Sequence, residues 1–80
     1  MKDQYPIEHM IELKGLSPFL VGRITIFKQE SLFNVEIDII QNESGKIYNH
    51  VRSLYGEPEP REALDLAVQY LKNFLDSKLH

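Results

Sequence analysis

From Leu20 to Tyr55 apolar and polar residues alternate almost without a break, and the segment from Pro60 to the end repeats at helical spacing. A period of two marks strands with one face buried and the other exposed. Gln29 to Leu32 forms the first turn in that region. If Lys28 faces Phe33, then Ile26 faces Val35 and Ile24 faces Ile37 on one side. On the other side Phe27 faces Asn34, Thr25 faces Glu36 and Arg23 faces Asp38. A slip of one residue would exchange the two faces, so this register is strongly selected.

The second turn is Asn42-Glu43-Ser44-Gly45-Lys46. A short loop ending on a left-handed residue suits Gly45 and pairs Asn42 with Lys46. Ile37 then faces Val51 and Phe33 faces Tyr55, while Asp38 meets His50 and Glu36 meets Arg52 outside. The expected inner face is Ile24, Ile26, Phe33, Val35, Ile37, Ile39, Val51 and Tyr55. The expected outer face is Arg23, Thr25, Phe27, Glu36, Asp38, Tyr48, His50 and Arg52.

Glu57-Pro58-Glu59-Pro60 ends the last strand. Pro60 suits a first helical position, where its missing N–H would have no partner. Glu57, Glu59 and Glu62 suit the positive end of the helix dipole. Leu64, Ala67, Val68, Leu71, Phe74, Leu75 and Lys78 make a stripe for the inner face, with Tyr70 at its edge.

Residues 5–14 read in two ways. As a helix, Pro6 starts it, Ile7, Met10 and Ile11 share a side, and Gly15 ends it with Leu16 against Ile11. As a strand, Tyr5, Ile7, Ile11 and Leu13 alternate with Pro6, Glu8, Glu12 and Lys14; His9 and Met10 break the pattern. The start and stop signals favour the helix. The expected fold is therefore α+β: a three-stranded antiparallel sheet with N- and C-terminal helices on one face, in the order α-β-β-β-α. The alternative is a four-stranded meander plus a C-terminal helix.

The α-β-β-β-α order resembles the double-stranded-RNA-binding domain. Pro6 to Leu13, PIEHMIEL, is similar to that family's first helix, with Glu12-Leu13 at its Glu-Leu pair. Pro60 to Val68 occupies the frame of its second helix, S-K-K-x-A-K-x-x-A-A, with the small or apolar positions at Leu64, Ala67 and Val68. Of the three lysine positions Arg61 keeps the charge, while Glu62 and Asp65 replace it. Gln29-Glu30-Ser31 stands where the family has Gly-Pro-x-His. The resemblance implies a fold of that kind whose RNA contacts are largely absent.

Composition narrows the functions. Eighty residues make one domain, 1–80, that buries roughly 60% of its unfolded surface and has little room for a deep active site. Cysteine is absent, which removes disulfides, thiol nucleophiles and soft metal ligands and suits a cytoplasmic location. Met1 to Met10 lacks the apolar stretch of a signal peptide, and no apolar run approaches the ~20 residues of a membrane span. The net charge is −3, with no basic cluster, which argues against nucleic acid as a partner. Phosphate-binding and zinc motifs have no match, so no cofactor and no metal site is expected.

His50 beside Asp38 is the one pair that could serve as a general base or half a metal site. On a sheet face such a pair is more often a solvated ion pair, and no catalytic residue is assigned. His9 and His80 are not brought near it by any pairing. The expected function is a non-catalytic interaction module, binding a protein partner or a second copy through the outer face or a strand edge. Arg23, Phe27, Asp38, Ile40, Tyr48, His50 and Arg52 form the candidate face, with Val21 and Leu54 at its ends. RNA binding is the alternative.

Overall fold

The computed structural model describes residues 4–13 and 17–79. The expected stop at Gly15, its Leu16 contact and His80 lie outside the described residues, as does the Lys78 side chain. Strands β1 (Ile7–Ile11), β2 (Leu20–Gln29), β3 (Leu32–Gln41) and β4 (Ile47–Glu57) precede one helix, α1 (Pro60–Leu79). The strands form one antiparallel sheet in chain order. The four-stranded alternative is the observed architecture. The N-terminal helix is corrected to a strand, which makes the sheet four-stranded rather than three-stranded.

The reason lies in pairing that local signals do not record. Without β1, one edge of β2 would leave its backbone groups unpaired beside the buried Ile24 and Ile26. Ile7, His9 and Ile11 pair with Ile26, Ile24 and Gly22 and share their face. Glu8 and Met10 point away and are exposed.

The first hairpin has the register expected from the alternation, from Leu20–Gln41 to Gln29–Leu32. Glu30 takes the left-handed turn position at φ 59°. The second hairpin differs. Gly45 is left-handed at φ 74°, as its position in the loop requires. However, Gln41, not Asn42, pairs with Lys46, through an N–H···O bond of 2.8 Å. β3 and β4 then shift register at three places. Asp38 still meets His50, but Ile37 meets Arg52, Glu36 meets Ser53 and Phe33 meets Glu57. Each shift adds a residue to β4 and turns the side chains beyond it to the other face. At the last one Gly56 takes φ 70° and donates its N–H to Asn34 Oδ1 at 3.0 Å.

Leu54 therefore lies in the core, not on the outer face, and Tyr55 is 70% exposed rather than opposite Phe33. Arg52 leaves the outer face; its guanidinium lies 4.3 Å from the centre of the Tyr70 ring on α1. Val51 packs at the margin of the core.

α1 lies across β2, β3 and β4. Ala63, Ala67, Leu71 and Leu75 are its buried line, with Leu64, Val68, Tyr70 and Phe74 partly buried beside it. The core below is Ile24, Ile26, Phe33, Val35, Ile37, Ile39 and Leu54. Gly22 permits the close approach: a Cβ there would stand 2.8 Å from Leu71 Cδ2. Tyr5 closes one end, with its ring 5.3 Å from that of Phe33.

Candidate functional site

Among the described residues no helix lies on the outer face of the sheet. Cross-strand pairing arranges its side chains in rows. Met10, Arg23, Asp38 and His50 form one row, and Glu8, Thr25, Glu36 and Ser53 form the next. Val21 and Ile40 lie in line beyond the first row, with Ile47 paired to Ile40 and Tyr48 beside it. Phe27 and Asn34 lie beyond the second row, toward Tyr55.

The centre is a connected polar network. His50 Nδ1 lies 2.7 Å from Asp38 Oδ1, and His50 Nε2 lies 3.0 Å from Ser53 Oγ. Ser53 donates to Glu36 Oε2 at 2.6 Å. Arg23 Nη2 stands 3.7 Å from Asp38 Oδ2, and Nη1 stands 3.9 Å from Glu8 Oε2. Asp38 is 3% exposed although no second layer covers it; the neighbouring side chains of the sheet enclose it. Arg23 Nε is buried and has no hydrogen-bond partner.

Asp38, His50 and Ser53 thus stand in the order of a carboxylate–imidazole–hydroxyl relay. The Ser53 proton is directed to Glu36, so the contact with His50 is filled when Nε2–H donates to the hydroxyl. A serine nucleophile also needs donors aimed at the developing oxyanion, whereas strand N–H groups lie in the plane of the sheet. The network acts as a fixed, partly charged patch. Among the described residues no group of three His, Cys, Asp or Glu side chains is arranged to hold a metal ion.

Of the residues expected on this face, Arg23, Phe27, Asp38, Ile40 and His50 have its register, Arg52 does not, and Tyr48 is the extra residue of a register shift with no cross-strand partner. Ile40 is buried at 4%, while Tyr48 and Phe27 are exposed at 63% and 40%. Ser53 was not expected, because uninterrupted pairing puts Arg52 in its place. The signal that could have found it is the three-residue spacing of the apolar Val51 and Leu54, which strict alternation cannot put on one face.

A cavity of about 440 Å³ lies at the Leu20–Gln41 end of the sheet, between Phe19, Leu20, Gln41 and Tyr48. A second, of about 330 Å³, opens on the helix side between Ile11, Leu13, Val68, Leu71 and Leu75. No helix of the described residues is long and apolar enough to cross a membrane.

Fold and site together define a small α+β domain: a four-stranded antiparallel meander, one C-terminal helix, and an uncovered sheet face with a polar centre and apolar ends. No family model, curated protein or solved structure matches the chain.

Proposed function

We propose that this chain is a non-catalytic interaction module that docks a protein on the outer face of its sheet. One observation carries the reading. Among the described residues eight large hydrophobic side chains are exposed; Met10, Phe27, Leu32 and Ile47 belong to the outer side by their register, and Tyr55 follows the inward Leu54 in β4. Such concentration on one face, around a polar centre, is the composition of a contact surface rather than of scattered exposure. Strand addition at an edge fits less well. β1 has five residues, and β4 carries three register shifts; short and bulged edges resist pairing with another strand. A reducing compartment such as the cytoplasm suits a chain without cysteine.

Exposed rings at Phe27, Tyr48 and Tyr55 could in principle stack on bases. Glu8, Glu36 and Asp38 lie between them and would repel a phosphate backbone. Negligible affinity for duplex RNA at physiological salt is the expected outcome of a titration.

The docking reading is tested with a photo-crosslinking amino acid placed at Tyr48 and, separately, at the exposed helix position Gln69. A discrete protein adduct from position 48 and none from position 69 is the expected result. No adduct, or the same adduct from both positions, would contradict it.

A further inference from the structure

We propose that the cavity at the Leu20–Gln41 end of the sheet is a binding site for a basic side chain, an arginine presented by a peptide or protein. The inference does not rest on the docking reading. The cavity lies at the end of the sheet, and its own lining names the ligand.

The walls come from two turns that the backbone ties together. Leu20 N–H donates to Ser17 O at 3.1 Å, and Asn42 N–H donates to Phe19 O at 2.7 Å. Gly45 N–H donates to Gln41 O at 2.8 Å and closes the second turn. Ser44 Oγ donates to Gln41 Oε1 at 2.9 Å and accepts the Lys46 N–H at 3.2 Å. Residues 17–20 and 41–46 are therefore one hydrogen-bonded unit. The space of about 440 Å³ between Phe19, Leu20, Gln41, Glu43 and Tyr48 is built by that unit and needs no ligand to open it. Its volume falls in the range of small-ligand sites, about 300–1,000 Å³.

The lining selects the ligand. Phe19 and Tyr48 are 69% and 63% exposed, so neither ring is spent on the core. Among the described residues neither meets another ring or a cation. A ring face attracts a cation placed within about 6 Å of its centre. Glu43 is the charged member of the described lining, which holds no lysine or arginine. Lys46 follows in the same turn but does not line the cavity. An anion here would meet a carboxylate and the negative faces of two rings. An uncharged apolar group would take water from Glu43 and give it no partner. A cation satisfies both the rings and the carboxylate. Among cations the guanidinium fits best, because it is planar, stacks on aromatic faces and turns its fork to a carboxylate at the same time. The chain shows the stacking half of that geometry elsewhere, where Arg52 lies 4.3 Å from the centre of the Tyr70 ring.

The experiment titrates the isotope-labelled full chain with N-acetyl-arginine amide and, separately, with N-acetyl-citrulline amide, which has nearly the same shape and no charge. The arginine probe should give saturable amide shifts at Phe19, Tyr48 and residues 41–44, with those of α1 unmoved. Citrulline should bind about fivefold or more weakly. Phe19→Ala and Tyr48→Ala should each weaken arginine binding about two- to fivefold, whereas Tyr48→Phe, which keeps the ring face, should leave it unchanged. Glu43→Gln should weaken it and reduce its dependence on salt. These side chains are exposed, so the amide spectrum of each variant should stay that of the folded chain. Equal binding of citrulline, shifts centred away from the two turns, or no saturable shift with arginine would overturn the site. The adduct from position 48 tests the docking reading separately.

Discussion

Along β3 the two faces of one sheet can be compared residue by residue. Phe33, Val35, Ile37 and Ile39 point toward α1 and are buried beneath it. Asn34, Glu36, Asp38 and Ile40 point the other way, where no element lies above them. Yet Asp38 and Ile40 are 3% and 4% exposed, as enclosed as much of the core. On the helix side a second layer removes side chains from water. On the outer side neighbouring side chains of the sheet do so. The first face is held by burial of apolar area, roughly 25 cal/mol per Å². The second is held by charge, hydrogen bonds and order, and it retains apolar ends with nothing on them. The difference separates residues that make the fold from residues that meet a partner.

Mutation should separate the two faces in the same way. Leu71, 1% exposed against Gly22 and the sheet, belongs wholly to the first. Leu71→Ala should cost ~2–5 kcal/mol in urea unfolding through the cavity it leaves, a large share of the stability of so small a domain. A loss under 1 kcal/mol would mean that the helix is not seated as described.

Asp38 tests whether the outer centre contributes to stability. Asp38→Ala removes an acceptor that His50 and Arg23 both approach, and should cost about 1–3 kcal/mol. A neutral result would make the network an ornament of an otherwise solvated surface.

Arg52 sharpens the boundary between the faces. Its place over Tyr70 predicts that Arg52→Gln loses about 0.5–1 kcal/mol of cation–π and packing energy and leaves partner docking unchanged. Loss of association without loss of stability would return Arg52 to the outer face. Tyr48→Glu should behave in the opposite manner. Its effect on unfolding should stay within about 0.5 kcal/mol, because the side chain is 63% exposed, while capture of the docked partner should be lost.

The same comparison explains what could be read from the chain. The first hairpin was fully legible, because every residue of β2 and β3 has an opposite number and both faces agree. Asp38–His50 was legible for a less secure reason. The turn pairs one residue earlier than expected, at Gln41–Lys46, and the extra residue near Tyr48 restores the count before His50. A further shift between His50 and Arg52 then moves Ser53 outward and Leu54 inward. Such bulges follow from twist and tertiary packing, which alternation does not encode. Gly56 inside a strand pattern and the three-residue spacing of Val51 and Leu54 are the local signs of bulges. β1 was missed because Pro6 and Gly15 are strong local signals, whereas the open edge of β2 is a non-local demand.

The two-face account meets its most direct test in a methyl-labelled sample titrated with a soluble paramagnetic probe and followed by NMR. The account predicts strong broadening at the methyls of Met10 and Ile47, which are 54% and 57% exposed, with those of Ile24, Ile37, Val35 and Leu71 left sharp. Equal broadening of the helix-side methyls would contradict it.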